Sequence, residues 1–559
     1  MIGRRHIMER IPVAIIGGGP VGLAAGLEFE RFQVPYQIFE EDSGLSSKPK
    51  AGTILPRSLE IFRQEGVIQG ILREGLRFDE VHFIDRVTDK ILMRMLMYPM
   101  ADESLYPFIL NLPQSDLEAL MAEKIYQSKI GRLNLRQRLL SIEQVEDHCV
   151  LQFETPTGHE SMEAEYVLAC DGGRSVIRHQ LGIEMEGVTH PERFLVADFK
   201  VDLDRRSGRQ LTYLSYVFDP EEWVIFVRQP RFWRFLIPIL PDAAEPTASI
   251  VIEKIRRVVK NPTLPIELID MGIYNVHHRT ATKWQDGRIF LLGDAAHLIT
   301  PVGGLGLNTG IQDANNLAWK LVWVLRKWAG PDLLRSYERE RAPIARFNAR
   351  NQAERNRDVM RMKSPIKRTM RNIVLGWMDR AEGLQWQAAH MRSLLGTSYK
   401  PTPKKPGLFS QLKTARRFVR PPVEVGDRFP DGEVLDSKGS TRRLHDFIDE
   451  GFLALYVQDV RTRPELGESL EGVQKYLLTR FDAAFDTNLR EQALYDKGGR
   501  LIRRIGAVDG SIYLIRPDSH VAAIISEKDA HNLPTIYHRL LSTEVFREAP
   551  TGESLTAIL

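Results

Sequence analysis

Residues 293–321, GDAAHLITPVGGLGLNTGIQDANNLAWKL, constrain this chain more than any other stretch. They bring a strand end, an acid, a glycine-rich turn and a helix start into one short run. The preceding residues 288–292 (RIFLL) read as a buried strand, and Gly293-Asp294 punctuates its carboxyl end, so Asp294 projects where an α/β sheet places ligands. Gly303, Gly304 and Gly306 allow close approaches that side chains would block, and the apolar spacing of 307–328 predicts a long helix. The start of that helix, at Leu307 and Asn308, presents free N–H groups and partial positive charge. Such an end suits an anion, or a heterocycle that gains negative charge on reduction. The alternative for this stretch alone is an ordinary glycine-rich connection.

A chain of 559 residues has room for two to four domains. A formal charge of +3 over that length gives no case for nucleic acid or a membrane surface as partner. The two cysteines, Cys149 and Cys170, lie in apolar strand-like runs without metal-ligand spacing, so no metal is expected and a reducing cytoplasm is. Arg4, Arg5 and Arg10 ahead of the apolar residues 11–27 imitate a signal peptide, but the glycines and Pro20 within that run fit a strand, turn and helix better. Elsewhere no run of eighteen uncharged apolar residues occurs, and a soluble protein is expected.

Residues 12–40 have the pattern of a βαβ unit. Gly17, Gly19 and Gly22 have G-x-G-x-x-G spacing, Pro20 opens the helix, and Glu40 follows the third glycine by 18 positions. The glycines suit a tight turn and close approach to a pyrophosphate, and Glu40 suits a ribose without a 2′-phosphate, hence FAD or NAD. Lys50 and Arg57 are candidates for a phosphate or cofactor edge, solvation being the commoner fate of loop cations. After Pro113, residues 114–121 begin a helix with Ser115 and Glu118 in capping-box spacing, and Gln114 is a candidate ligand contact. Strands through 133–170 deliver Asp171-Gly172-Gly173 at another carboxyl end.

Residues 183–275 alternate as strands at 210–218, 223–229 and 233–240, with one helix at 250–259. They read as a β-rich insertion into a discontinuous domain of 1–182 and 276–398. A proline-marked linker at 399–422 leads to a cysteine-free region, 423–559, of strands and helices.

Together GGGPVG at 17–22, CDGGRSVIR at 170–178 and GDAAHLITPVGGLGLNTG at 293–310 resemble the group A flavoprotein aromatic hydroxylases. The likeness covers residues 1–395 and is nearest to the long branch that includes hydroxyphenylpropionate and polyketide-ring hydroxylases. It implies an α/β fold: a Rossmann-like FAD-binding domain, an inserted mainly β substrate domain, and a thioredoxin-like C-terminal domain. The last rests on RPDSHVAAI at 516–524, a weaker match, and without Cys-x-x-Cys it would be structural or dimer-forming.

By the same resemblance Gly17, Gly19, Pro20, Gly22 and Glu40 hold the ADP half of FAD, with Lys50 where relatives carry arginine. Gln114 contacts the flavin, Asp171 serves FAD and NAD(P)H, and Asp294 binds the ribityl chain. Pro301 lies beside the isoalloxazine, and Gly306, Leu307 and Asn308 meet its pyrimidine edge. The implied reaction is reduction of FAD by NADPH or NADH, formation of a C4a-hydroperoxide with O₂, and hydroxylation of a phenolic or fused-ring aromatic substrate. Tyr216 resembles a substrate-activating tyrosine, although packing is the commoner fate of a tyrosine in a sheet. His297 is expected to make a structural hydrogen bond. His277 and His278 face opposite sides of a strand and form no metal pair. Gly52 stands where some phenol hydroxylases carry an aspartate base.

Three rivals remain. The run 233–238, WRFLIP, approaches a halogenase signature, but reads better as a substrate-domain strand. A flavin-binding resistance or sensor protein with little turnover is the second, and a plain NAD dehydrogenase, which leaves the Asp294 motif unexplained, the third.

Overall fold

The computed structural model describes residues 10–45, 52–203, 211–220, 223–239, 241, 243–300, 302–349, 355–400, 420–448, 451–458, 466, 469–480 and 490–542. Lys50, Pro301 and most of the 399–422 linker therefore lie outside the described residues. The chain forms two compact units. One takes in residues 1–97, 108–314 and 342–385, the other 98–107, 315–341 and 386–559.

In the first unit, five parallel strands form the centre of an eight-stranded sheet, in the order Ile289–Leu291, Gly158–Ala169, Arg10–Ile16, Tyr36–Glu40, Gly131–Leu135. The central strand, RIPVAII, is an almost unbroken apolar run because both its faces are covered, and the consecutive residues Val13, Ala14 and Ile15 are fully buried. The helix Pro20–Arg31 follows directly, with Pro20 at its first turn, where a missing N–H costs nothing.

A second sheet of eight strands is mainly antiparallel. Its strands Met185–Lys200, Leu214–Phe218, Val224–Arg228, Trp233–Ile239 and Glu267–Ala281 come from the β-rich region foreseen in the sequence. The sheet also takes in Glu80–Asp85 and Lys90–Leu96, because Leu214–Phe218 pairs in parallel with Glu80–Asp85. Those two strands lie outside the 183–275 range: backbone pairing, not nearness in the chain, decides membership of a sheet. The helix Ala248–Val259 lays Val251, Ile255, Val258 and Val259 on Leu195, Phe199, Phe226, Trp233 and Phe235, forming one apolar core.

The second unit contains a seven-stranded mixed sheet. Phe452–Val457, Val473–Thr479 and Ala493–Tyr495 run parallel, while Ile512–Ile515 and Val521–Ile525 form an antiparallel hairpin beside them. This unit buries an ionic cluster. Lys320 Nζ is 2.9 Å from Glu340 Oε2, and Arg516 donates to Glu340 Oε1 at 2.7 Å and to Asp518 Oδ1 at 3.0 Å. Asn316 donates to Glu340 Oε2 at 2.6 Å.

Candidate flavin-binding site

The three glycine motifs converge at the carboxyl ends of three neighbouring parallel strands, Ile289–Leu291, Gly158–Ala169 and Arg10–Ile16. At Gly17 the backbone has φ +108°, and a Cβ there would lie 2.4 Å from the Cys170 carbonyl oxygen, so the first motif is pressed against the second. A Cβ at Gly22 would lie 2.0 Å from the Gly17 carbonyl oxygen. Both glycines are demanded by the chain itself. Gly19 differs: a Cβ there meets nothing within 4 Å. It faces open space at the N-terminus of the Pro20–Arg31 helix, an arrangement that suits an anion.

The third motif closes on the first through Val21. A Cβ built at Gly310 would be 2.6 Å from the Val21 side chain, and one at Gly293 2.9 Å from it. Gly293 and Gly310 thus let the Leu305–Leu325 helix and the Asp294 turn approach the start of the Pro20–Arg31 helix. Asp294 is exposed in a single 3₁₀ turn after Ile289–Leu291. The long helix begins two residues before the predicted 307 and ends at Leu325. Gly306 and Leu307 lie half-buried in its first turn.

Glu40 ends its strand with both carboxylate oxygens engaged: Oε2 accepts from Gly18 N at 2.6 Å and Oε1 from Asp42 N at 3.0 Å. Asp171 Oδ2 accepts from Ile177 N at 3.2 Å. Burial pushes the Asp171 carboxyl up from its ordinary value, against the downward pull of the Ser175 hydroxyl and nearby backbone N–H groups. Arg178, the last residue of CDGGRSVIR, is buried and donates to Ala295 O at 3.1 Å and Gly173 O at 2.9 Å, joining the second motif to the third.

Several side chains are used differently from the sequence expectation. Gln114 opens its helix, but the capping box does not form: Pro113 is the N-cap with no side-chain cap bond, and Gln114 Nε2 donates to Glu118 Oε1 at 2.7 Å instead. The glutamate that would close the box is drawn to the glutamine one turn away. Arg57 is buried and paired with Glu60 at 3.1 Å within its own helix. His297 is fully buried, its Nε2 is 2.6 Å from Asp313 Oδ2, and its ring stacks on Trp284, which is the structural role expected of it. Tyr216 is 4% exposed and stacks on Phe83 with ring centroids 5.3 Å apart.

Asn308 carries the largest surprise. Its fully buried side chain accepts from Leu55 N at 2.9 Å and donates to Thr53 O at 2.9 Å and Gly304 O at 2.7 Å. Thr53 Oγ1 in turn donates to Asn111 Oδ1 at 2.9 Å, and Asn111 Nδ2 donates to Arg228 O at 2.8 Å. Gln229 Nε2 donates to Gly52 O at 3.2 Å, and a Cβ at Gly52 would lie 2.8 Å from that amide. A neutral hydrogen-bonded chain therefore runs from the first turn of the long helix to a strand end of the β-rich sheet. Asn111 and Gln229 went unnoticed in the sequence because an isolated amide has no spacing signature. The only signal was the polar asparagine interrupting the apolar run 109–112, ILNL.

A profile of the FAD binding domain family matches residues 10–352. A putative polyketide hydroxylase from Streptomyces halstedii is 32% identical over 365 residues, which are 62% of this chain and 66%, just under two thirds, of that protein. A 3-(3-hydroxy-phenyl)propionate/3-hydroxycinnamic acid hydroxylase from Escherichia coli is 26% identical over 537 residues, 92% of each chain. Among solved structures, the flavin-dependent monooxygenase PieE in complex with FAD and substrate superposes with a TM-score of 0.78, covering 95% of this chain and 99% of that one at 24% identity.

Proposed function

Because the chain belongs to the FAD binding domain family, and its relatives include hydroxylases of aromatic compounds, we propose that it is an NAD(P)H- and O₂-dependent monooxygenase that hydroxylates a phenolic or polycyclic aromatic compound. FAD is its cofactor, and when bound supplies the redox centre at which electrons from NAD(P)H meet O₂. The observation that carries the reading is the meeting of three glycine motifs at adjacent strand ends, with Gly19 open where Gly17 and Gly22 are closed.

The residues present fit that cofactor. Gly17 and Gly22 shape the turn, Gly19 leaves room for the pyrophosphate, and the N–H groups starting the Pro20–Arg31 helix meet its charge. Glu40, set by the Gly18 and Asp42 amides, would accept from the adenosine ribose hydroxyls. Asp294 would hold the ribityl hydroxyls, and Asp171 would serve both FAD and NAD(P)H. The N–H groups at Gly306, Leu307 and Asn308 would stabilise negative charge on a bound flavin ring, while the Asn308 side chain holds the segment 53–55 in place. Lys50 and Pro301 belong to the same proposed site by sequence. The β-rich sheet supports the substrate and excludes water, with Tyr216 as a candidate partner for the phenolic hydroxyl. Its stacking on Phe83 favours a positioning role over proton transfer.

The WRFLIP run is a buried strand, and Arg234 makes a two-pronged ion pair with Asp198 at 2.7 Å and 2.7 Å. That assigns the segment to the sheet, and the relatives support monooxygenase over halogenase. The parallel centre and antiparallel hairpin of the second unit's sheet support a thioredoxin-like C-terminal region over 423–559. We assign it a structural or homodimer-forming role, and 1–182 with 276–398, and 183–275, to cofactor and substrate. Among the described residues no helix is long and apolar enough to cross a membrane and no group of side chains is arranged to hold a metal ion.

The test is a panel of phenols and fused-ring aromatics, scored for both NAD(P)H consumption and hydroxylated product. Substrate-stimulated oxidation with matching product supports the reading. Chlorinated product alone in the presence of chloride, or a yellow protein that no ligand stimulates, refutes it. Asp294→Ala is expected to lose FAD on purification, and a fully retained, normally coloured flavin would overturn that assignment.

A further inference from the structure

The helix Pro365–Met378 is turned the opposite way from an ordinary surface helix. Its exposed residues include Ile366 at 75%, Met370 at 62%, Ile373 at 67%, and Val374 and Trp377 at 51% each. Their spacing of four, three, one and three residues places all five on one stripe. The residue it buries is an arginine. Arg371 donates to Asp85 Oδ1 at 2.9 Å and Val359 O at 3.0 Å, and its guanidinium lies 4.7 Å from the centre of the Phe218 ring. Asp379 Oδ1, one residue past the helix, accepts from Arg94 N at 2.6 Å. The helix is thus pinned by polar bonds on its inner side and presents its apolar side outward. Five large apolar side chains in one stripe mark an interaction surface.

The charges around the stripe choose its occupant. Lys363 and Lys367 at one end and Arg380 at the other are exposed, and no exposed acid lies between them. A second copy pairing antiparallel through this helix would set Lys363 against Arg380, and a parallel pairing would set each cation against itself. Residues 401–420 of the same chain bring Lys404, Lys405, Lys413, Arg416, Arg417 and Arg420, again of like sign. An anionic surface with an apolar interior satisfies both features at once. We propose that Pro365–Met378 docks the protein on an anionic phospholipid bilayer, with Ile366, Met370, Ile373 and Trp377 entering at headgroup level and Lys363, Lys367 and Arg380 meeting lipid phosphates. The chain-wide charge of +3, from which no membrane surface was expected, conceals this local pattern because charge elsewhere is nearly balanced.

The experiment is co-sedimentation of the full-length, FAD-loaded protein with vesicles of mixed phosphatidylglycerol and phosphatidylcholine, and with pure phosphatidylcholine vesicles, at low and high salt. Binding to the mixed vesicles is expected to be on the order of tenfold tighter, to weaken with salt, and to fall on the order of tenfold in Ile373→Glu. Lys363→Glu/Lys367→Glu should lose the preference for anionic lipid. Ile373 is exposed, so the variant is expected to fold, and flavin absorbance checks this. Equal binding to both vesicle types, or binding unchanged by Ile373→Glu, overturns the proposal. So does a sedimentation-velocity dimer that Ile373→Glu abolishes, which assigns the stripe to a second copy. Efficient cross-linking of Ile373→Cys to Leu412→Cys within one chain would assign it to the 401–420 segment. None of these outcomes depends on whether the protein hydroxylates an aromatic ring.

Discussion

Two buried polar clusters, one in each unit, solve the same problem with opposite chemistry. Around Asn308, Thr53, Asn111 and Gln229 every group is neutral, and each bond links a side chain to backbone or to another amide or hydroxyl. Around Glu340, Arg516, Asp518 and Lys320 nearly every group is charged. A neutral cluster costs little desolvation and fixes direction, which suits a segment that holds a helix start in place. An ionic cluster costs much more to bury and is tolerated only when complete, so it defines one arrangement of its unit and penalises every other.

Removing one member of the ionic cluster is the severest way to break this contrast. Arg516→Met leaves the Glu340 and Asp518 carboxylates buried without their main partner, and a loss of about 3–5 kcal/mol is expected. Urea unfolding of the full chain measures it, and a loss below about 1 kcal/mol would show that the cluster does not stabilise its unit as described.

The same cluster predicts an acid limit. Burial pushes Glu340 upward, but Arg516 and Lys320 outweigh it and hold the carboxyl at about 2, below the ordinary 4.5. Its contribution is therefore complete above pH 4.5 and is lost as pH falls from 4.5 towards 2. Lys320 has the reverse linkage. Burial lowers it from 10.5 to about 8 despite Glu340, so stability from this group rises between pH 8 and 10.5. Urea midpoints from near neutrality down to about pH 3 should fall more steeply in the wild type than in Arg516→Met, where Glu340 keeps only the pull of Lys320. Parallel curves would remove Glu340 as the cause.

The neutral cluster should yield smaller and pH-independent effects. Asn308→Leu strands Leu55 N–H, Thr53 O and Gly304 O, with an expected cost of about 1–3 kcal/mol and weakened FAD retention on gel filtration. Full retention would place Asn308 outside the cofactor's support. The smallest effect sharpens the comparison most. Asn111→Leu and Asn308→Leu both act on Thr53, so their double-mutant cycle should show a coupling of at least about 0.5 kcal/mol. Additivity would mean two separate contacts rather than one chain.

The cofactor half of the molecule was readable because its signals are steric and local. Gly17 and Gly22 are required by backbone atoms a few residues away or on the next strand, and a glycine at such a place leaves a fixed spacing in the chain. The β-rich sheet was foreseen by alternation, yet its strands at 80–96 were not, because a parallel partner 130 residues distant leaves no periodic trace. The capping box at Ser115 was a spacing without the geometry, since Glu118 had a nearer claimant in Gln114.

The sequence by itself determined the glycine turn at 17–22, the acid at the end of each strand and the family of the cofactor, all properties of short segments with few backbone options. Only the tertiary structure decided that Asn308 spends its side chain on residues 53–55, that Arg516 and Glu340 meet in a buried unit, and that the Pro365–Met378 helix turns its apolar face outward. Those outcomes depend on which distant groups arrive opposite one another, and burial then sets the energy of the pairing.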